Sequence, residues 1–389
     1  MVWSVASGSV RLSGDRVAAA PDGKVQVGPG VGAPPSLADV GFPILGGRAR
    51  PVSRMRALAL TGPRLAVVQE VAEPRAGRLD VVVAVHLVGV CGTDHELYSG
   101  DMAYLHSGRA SYPLRPGHEW SGVVREVGAG VDAAWLGARV TGDTMLWCGR
   151  CDRCLAGRRH ICRNLVEVGI SLGFAGALAE RLVVPATSLH RLPDEVDDVA
   201  GAMVEPGGNA WRAAAAVHAG PGTRILVWGT GTIGLLAVAF AVAAGAEVHV
   251  VGRRPAGLEM GLRMGATAAW TADSVPDIAF HGIIDATDDP AVPGEAIRRV
   301  EPGGRIVFIG LAGAPSVIDT QELVLRDVTA VGLLSGSPGL AQAIQLFAEG
   351  RVDPRPLVGA TVGLAIAPEV LAGGFRGGDA PKILIDPRL

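Results

Sequence analysis

Short apolar runs broken by glycine-rich turns dominate the first half of the chain. MRALAL opens at Met55, LDVVVAVHLVGV runs from Leu79 to Val90, and SGVVREVG and ERLVVPA follow. Their lengths and β-branched content predict strands of a half-buried sheet, so this region reads as mostly β. From about Gly220 the pattern changes. RILVWG, a helical stretch from about Ile233, EVHVVG, GIIDAT, GRIVFIG and VTAVGLL alternate strand with helix, which implies a parallel sheet covered by helices on both faces. A last helical stretch, GLAQAIQLFAEG, leads to a tail whose ILI around Leu384 reads as a strand expected to rejoin the first domain. The longest apolar run, Leu235 to Ala244, falls short of the roughly 18 residues that span a bilayer and meets Gly245 and Glu247 at once, so it reads as a buried helix.

The implied organisation is a poorly ordered extension over 1–54, rich in Gly and Pro, a β-rich domain over 55–205, a domain of alternating strands and helices over 206–345 and a returning tail over 346–389. Met55, where periodic structure begins, is a candidate translation start. N-terminal sequencing of native protein that begins well before it excludes that reading.

At 389 residues and 49% hydrophobic, the chain can bury two cores. A net charge of -3 offers no basic excess for a phosphate backbone, so nucleic acid is not an expected partner. The first residues, MVWSVASGSV, lack a secretory signal pattern, and a cytoplasmic location with reduced thiols is the expectation. Lys24 and Lys382 are the only lysines among 35 basic residues, and both lie near chain ends, which disfavours chemistry through a buried lysine.

All five cysteines fall in two places. CGRCDRCLAGRRHIC puts Cys148, Cys151, Cys154 and Cys162 in one short loop, a spacing that suits a closed tetrahedral zinc site, with Arg150, Arg153, Arg158 and Arg159 to offset its negative charge. A disulfide pair and an iron-sulfur cluster are the alternatives. The fifth, Cys91, ends the long apolar strand in VCGTDHE, and PGHEWSG with His118 and Glu119 follows. Singly these are an ordinary buried thiol and an ordinary histidine. Together they offer a thiolate, an imidazole and a carboxylate, a set suited to zinc with an open position, and Glu205 in MVEPGGNA adds a carboxylate that could equally be a first-turn helix residue.

RILVWGTGTIGLL places Gly229, Gly231 and Gly234 in G-x-G-x-x-G spacing, with Thr232 and Ile233 opening the helix. In that strand-turn-helix context the glycines let a pyrophosphate approach the backbone at a helix N-terminus. Where NAD enzymes place an acidic residue, this chain has Arg253 and Arg254. Two guanidiniums suit a 2'-phosphate, favouring NADP over NAD, and two solvated arginines are the bland alternative.

From Met55 onward, CGTD, GHEWSG, the four-cysteine lobe and the glycine fingerprint resemble the zinc-containing medium-chain dehydrogenase/reductase family, in the family's order. The resemblance implies an α/β architecture: a GroES-like, mostly β catalytic domain and a Rossmann doubly wound parallel-sheet domain. It implies catalytic zinc on Cys91 and His118, with Glu119 beside the metal and Glu205 supplying or supporting the remaining position as in the polyol, sorbitol and threonine dehydrogenase-like branch. It implies structural zinc on the four-cysteine lobe and a substrate-bonding hydroxyl on Thr93 that starts a proton relay. Relatives often carry a relay histidine three residues after that threonine; here Glu96 holds the place and His95 precedes it.

The expected activity is hydride transfer between NAD(P) and a secondary alcohol, polyol or sugar-like substrate, in a homodimer or homotetramer for which VTAVGLL is a candidate edge. Tyr98, Tyr104, His106 and Arg109, between the two metal motifs, are candidate pocket residues that could hydrogen-bond a polyol or an anionic group, with loop surface as the equal alternative. The rival readings are a zinc-independent enone or quinone reductase of the same superfamily, which needs neither cysteine group, and a nucleotide-binding protein without turnover.

Overall fold

The computed structural model describes residues 53–389. The expected extension over 1–54 therefore lies almost wholly outside the described residues. The chain opens on an antiparallel pair, β1 (Arg54–Gly62) and β2 (Leu65–Ala72). There follow β3 (Asp80–Val90), the helices α1 (Gly92–Ser99) and α2 (Ala103–His106), β4 (Glu119–Val127), β5 (Arg139–Gly142) and β6 (Met145–Leu146). After the short helix α3 (Asp152–Leu155) come β7 (Val166–Glu167), β8 (Arg181–Pro185) and β9 (Leu189–Arg191). β6 and β7 form a small antiparallel pair at the root of the cysteine loop.

The helices α4 (Asp198–Ala202) and α5 (Val204–Ala216) lead into β10 (Arg224–Trp228), α6 (Thr232–Ala243), β11 (Glu247–Val251), α7 (Pro255–Arg263) and β12 (Ala268–Trp270). β13 (Phe280–Asp285), α8 (Val292–Arg299), β14 (Val300–Phe308), α9 (Thr320–Leu325) and β15 (Thr329–Gly332) complete the nucleotide half. α10 (Leu340–Ala348), β16 (Val358–Gly363), α11 (Ala367–Leu371) and β17 (Lys382–Asp386) return to the first half.

Two sheets follow. β12-β11-β10-β13-β14-β15 is a six-stranded sheet, parallel throughout. Its central strand β10 buries Ile225, Leu226 and Val227 on both faces, as a strand covered by helices on each side must. The second sheet runs β16-β17-β3-β4-β5-β9, with β8 also pairing β3. β17 lies antiparallel to β3 with Leu384 opposite Gly89, so the tail is the neighbour of the strand that ends at Cys91. β2, β5, β6, β7, β9, β12 and β16 have no counterpart in the sequence reading. The burial of β2 alternates only weakly and β12 has three residues, too little for a period to register.

Candidate functional site

β3 and β4 pair antiparallel with Gly89 opposite Glu119, so the CGTD and GHE motifs meet at one end of the sheet. Cys91 Sγ lies 3.1 Å from His118 Nε2. With one carboxylate oxygen of Glu119 these form a group of three donor atoms within 4.8 Å of one another.

Buried Asp94 holds the group together. Its Oδ2 accepts the backbone N–H of Cys91 at 3.0 Å, its Oδ1 accepts that of Gly117 at 3.2 Å, and the same Oδ1 lies 3.6 Å from His118 Nδ1. Two contacts to the two motif backbones and one to the ring orient the imidazole so that Nε2 faces the thiol, an outer-shell arrangement of the kind that metal-binding histidines use. Burial pushes the Cys91 thiol up. A bound cation reverses that by favouring the thiolate. A half-buried cysteine sulfur, a buried imidazole and a buried carboxylate that converge this closely fit a zinc ion.

Glu119 reaches the group across a gap in β3. A Cβ at Gly89 would collide with the Glu119 carboxylate, so glycine opens the slot. On the far side Lys382 Nζ donates to Glu119 Oε2 at 2.6 Å and to the Val90 carbonyl at 3.0 Å. Both side chains are buried. Lys382 lies near the chain end, as its number implies, yet β17 carries it into the core beside the metal-ligand group, while Lys24 lies outside the described residues.

Glu205, in the first turn of α5, is also buried, and its Oε1 accepts from Asn209 Nδ2 at 3.1 Å. Burial raises its carboxyl to about 7, against the lowering pull of His118. Its carboxylate stands outside the close three-donor group.

Cys148, Cys151, Cys154 and Cys162 bring their sulfurs within 4.8 Å of one another and form no disulfide. The backbone N–H groups of Cys148 and Asn164 point at Cys162 Sγ at 3.4 and 3.3 Å, and N–H groups of Arg150 and Cys151 lower the Cys148 thiol to about 6. N–H donors aimed at sulfur favour thiolates, and four convergent thiolates fit a closed zinc site.

In the nucleotide half, the turn between β10 and α6 packs tightly at two of its three fingerprint glycines. Gly229 has φ +113° and a Cβ there would meet the Ala286 carbonyl at 2.7 Å, while a Cβ at Gly234 would collide with the Gly229 carbonyl. Around Gly231, the N-cap of α6, there is open space. Thr232 and Ile233 open the helix, whose first-turn N–H groups lack partners within the helix and form an anion-binding end.

Arg253 and Arg254 are exposed at the end of β11. The sequence reading found no carboxylate nearby, but the loop after β13 brings Asp288 Oδ1 to 3.8 Å from Arg253 Nη2.

Thr93 and Glu96 lie half-buried on α1, and His95 Nδ1 is 3.0 Å from the Leu371 carbonyl. Of the four candidate pocket residues, two are engaged elsewhere. Arg109 Nη2 donates to buried Glu167 at 3.1 Å and to the Leu165 carbonyl at 3.0 Å, and the Tyr104 hydroxyl donates to the other Glu167 oxygen at 3.4 Å. These contacts secure the loop over 103–109. His106 is exposed, and Tyr98 lines a surface cleft beside α1.

Residue-level reading missed Asp94, Gly89, Lys382 and Asp288. Asp94 had a local signal, since an acidic residue three positions after a helix-start Cys91 commonly caps that end. The others depend on which strands pair.

Residues 77–194 match the alcohol dehydrogenase GroES-like domain and residues 232–349 the zinc-binding dehydrogenase family. L-threonine 3-dehydrogenase of Burkholderia ambifaria is 31% identical over 292 residues, 72% of this chain and 84% of that protein. Among solved structures, a zinc-binding dehydrogenase of Sinorhizobium meliloti 1021 bound to NADP superposes with TM-score 0.80 at 29% identity, over 86% of this chain and all of that one. An alcohol dehydrogenase of Escherichia coli CFT073 complexed with NADH does so with TM-score 0.80 at 27%, over 86% and 99%. Joined to the convergent donors of Cys91, His118 and Glu119, these matches show that the chain belongs to the zinc-dependent medium-chain dehydrogenase/reductase family and is an oxidoreductase acting on alcohols.

Proposed function

We propose that the protein transfers hydride between NADP and a secondary alcohol, polyol or sugar-like substrate at a zinc site held by Cys91 and His118. The observation that carries this is the 3.1 Å approach of the half-buried Cys91 sulfur to His118 Nε2 inside a three-donor group whose other two members, His118 and Glu119, are buried. When bound, zinc supplies Lewis acidity and the nicotinamide a hydride acceptor.

The chain's residues then have distinct tasks. Cys91 and His118 hold the metal, and Asp94 fixes both. Glu119 and Glu205 supply the adjoining carboxylates. Thr93 hydrogen-bonds the substrate oxygen and takes part in its proton transfer. Gly229, Gly231, Thr232, Ile233 and Gly234 receive the pyrophosphate. The four-cysteine lobe holds a second, structural zinc.

Arg253 and Arg254 favour NADP, because exposed guanidiniums form forked bonds to a 2'-phosphate. Asp288 opposes this in part by pairing with Arg253. Arg253→Ala should therefore lower kcat/KM with NADP about 10-fold or more and leave NAD nearly unchanged, whereas comparable efficiency with both cofactors in the native enzyme overturns the preference.

A homodimer or homotetramer is the proposed assembly. β15 is an edge strand of its sheet, and Val324 and Leu325 beside it are largely exposed, a surface that pairing between copies would cover. Light scattering on the purified protein tests it. Five unpaired cysteines suit the reducing cytoplasm.

The decisive assay is reduction of NADP or NAD with a panel of L-threonine, 2,3-butanediol, polyols and sugars, together with metal analysis. Absence of hydride transfer across the panel, or an active Cys91→Ser, His118→Ala double variant, overturns the proposal.

A further inference from the structure

We propose that Thr230 is a positioning residue for cofactor choice: its side chain fills the space left open by Gly252 and Gly257, and so fixes the turn that carries Arg253 and Arg254. The inference rests on the NADP reading above and adds to it the residue that sets where the two guanidiniums stand.

Thr230 follows Gly229 in the turn between β10 and α6, and its side chain lies against the end of β11 and the first turn of α7. A Cβ on Gly252 would stand 2.5 Å from Thr230 Cγ2 and 2.9 Å from its Oγ1. One on Gly257 would collide with Thr230 Oγ1 and stand 2.8 Å from its Cβ. One threonine thus excludes a side chain at both positions, and these two buried glycines bracket Arg253 and Arg254. Neither glycine has a positive φ. Backbone conformation therefore does not require glycine at either place, and Gly257 lies inside α7, where glycine is a poor helix former. What both positions require is room for Thr230.

The turn itself holds its shape. The Arg254 carbonyl accepts the N–H groups of Gly257 and Leu258 at 3.0 and 3.2 Å, and the Gly252 N–H donates to the Trp270 carbonyl at 3.1 Å. The turn therefore seats on Thr230 as one piece, at both of its ends.

Ion pairing does not place the two arginines. Arg253 and Asp288 are 84% and 78% exposed and 3.8 Å apart, a screened contact too weak to hold a long side chain. Arg254 has no ion pair among the described residues. Both guanidiniums stand where the backbone beneath them puts them, and Thr230 locates that backbone relative to the fingerprint turn.

That relation matters to one cofactor more than the other. The pyrophosphate of either dinucleotide binds at the N-terminus of α6, whereas a 2'-phosphate must also meet the arginines. The second contact strengthens binding only if the spacing between the two places is set beforehand, because ordering a loop on binding costs affinity. NAD lacks the 2'-phosphate and is indifferent to that spacing. Thr230 acts by shape: its hydroxyl has no hydrogen-bond partner among the described residues, and valine fills the same volume.

The test measures the Kd of NADPH and of NADH by nucleotide fluorescence, on the purified zinc protein and on four variants. The quantity read is the preference, the NADH Kd divided by the NADPH Kd. General damage to the fold weakens both nucleotides and leaves that ratio unmoved. Gly252→Ala adds a methyl group where Thr230 stands and should lower the preference about 5-fold or more. Thr230→Ala removes Cγ2 and Oγ1 and should lower it about 3-fold or more. In Gly252→Ala with Thr230→Ala the new methyl takes the vacated space, its next neighbour being Leu258 Cδ2 at 3.2 Å. The preference should then return to within about 2-fold of native. Thr230→Val should retain it.

A native preference in Gly252→Ala, or a double variant no better than Gly252→Ala alone, overturns this assignment and leaves the NADP reading standing. So does a Thr230→Val as impaired as Thr230→Ala, which would mean that the hydroxyl and not the shape carries the effect. Native protein with no preference for NADPH overturns the NADP reading, and the assignment with it.

Discussion

Lys382 and Glu119 form a buried ion pair, 2.6 Å from Nζ to Oε2, at 1% and 2% exposure. β17 and β4 do not touch as strands. They flank β3, and the missing side chain at Gly89 lets the pair close across it. Removing one partner leaves an uncompensated buried charge, which costs about 3–5 kcal/mol, far more than the pair contributes relative to an apolar substitute. Lys382→Met should therefore destabilise strongly in urea, and Lys382→Met with Glu119→Gln should recover much of the loss. If the double variant is as unstable as the sum of the two singles, the pair is not the source.

The cysteine lobe should separate from catalysis in a metal assay. Cys148→Ser removes a thiolate that the N–H groups of Arg150 and Cys151 favour, so purified protein should fall from two zinc ions per chain to about one. The loss should reduce thermal stability, because a structural zinc contributes folding free energy directly. Retention of two zinc ions by Cys148→Ser contradicts the four-thiolate site.

The legibility of this fold from sequence follows the range of each signal. The strand-turn-helix at Gly229, Gly231 and Gly234 and the four cysteines are local, so spacing alone places them. Cys91 and His118 lie 27 positions apart, yet each sits in a short motif whose chemistry suggests the other. Lys382 is 263 positions from Glu119. Its role depends on β17 entering the sheet beside β3, which no local pattern near residue 382 encodes. Arg109 and Tyr104 show the converse. Their polarity suggested a pocket, but the partner that claims them, Glu167, lies on a strand of two residues, too short to leave a periodic trace.

The contact between α5 and the loop after β15 predicts a sensitive glycine. A Cβ at Gly336 would collide with the Glu205 carbonyl, and one at Gly208 would meet the Gly336 carbonyl at 2.6 Å. Backbone, unlike a flexible side chain, cannot swing aside, so Gly336→Ala should cost about 1–3 kcal/mol by overpacking. Because the displaced carbonyl belongs to Glu205, activity should fall further than stability explains. Denaturation and kcat measured together separate the two effects, and a fully stable, fully active Gly336→Ala refutes the close fit.

Asp198 sets an expected acid limb of stability. His86 Nδ1 lies 2.7 Å from its Oδ2 and Arg139 Nη2 lies 3.4 Å from its Oδ1, so α4 is tied to β3 and β5 through this one carboxylate. The hydrogen bond to His86, against the opposing effect of burial, holds the Asp198 carboxyl below its ordinary value. A carboxyl whose folded pKa is depressed binds fewer protons folded than unfolded in the window between the two values. Stability is then fully present above the unfolded value, near 4, and is lost as pH falls through the folded one. Asp198→Asn should flatten the acid limb of a urea-stability profile below about pH 4 and lower the plateau above it. An acid limb of unchanged slope in that variant means that other carboxylates account for it.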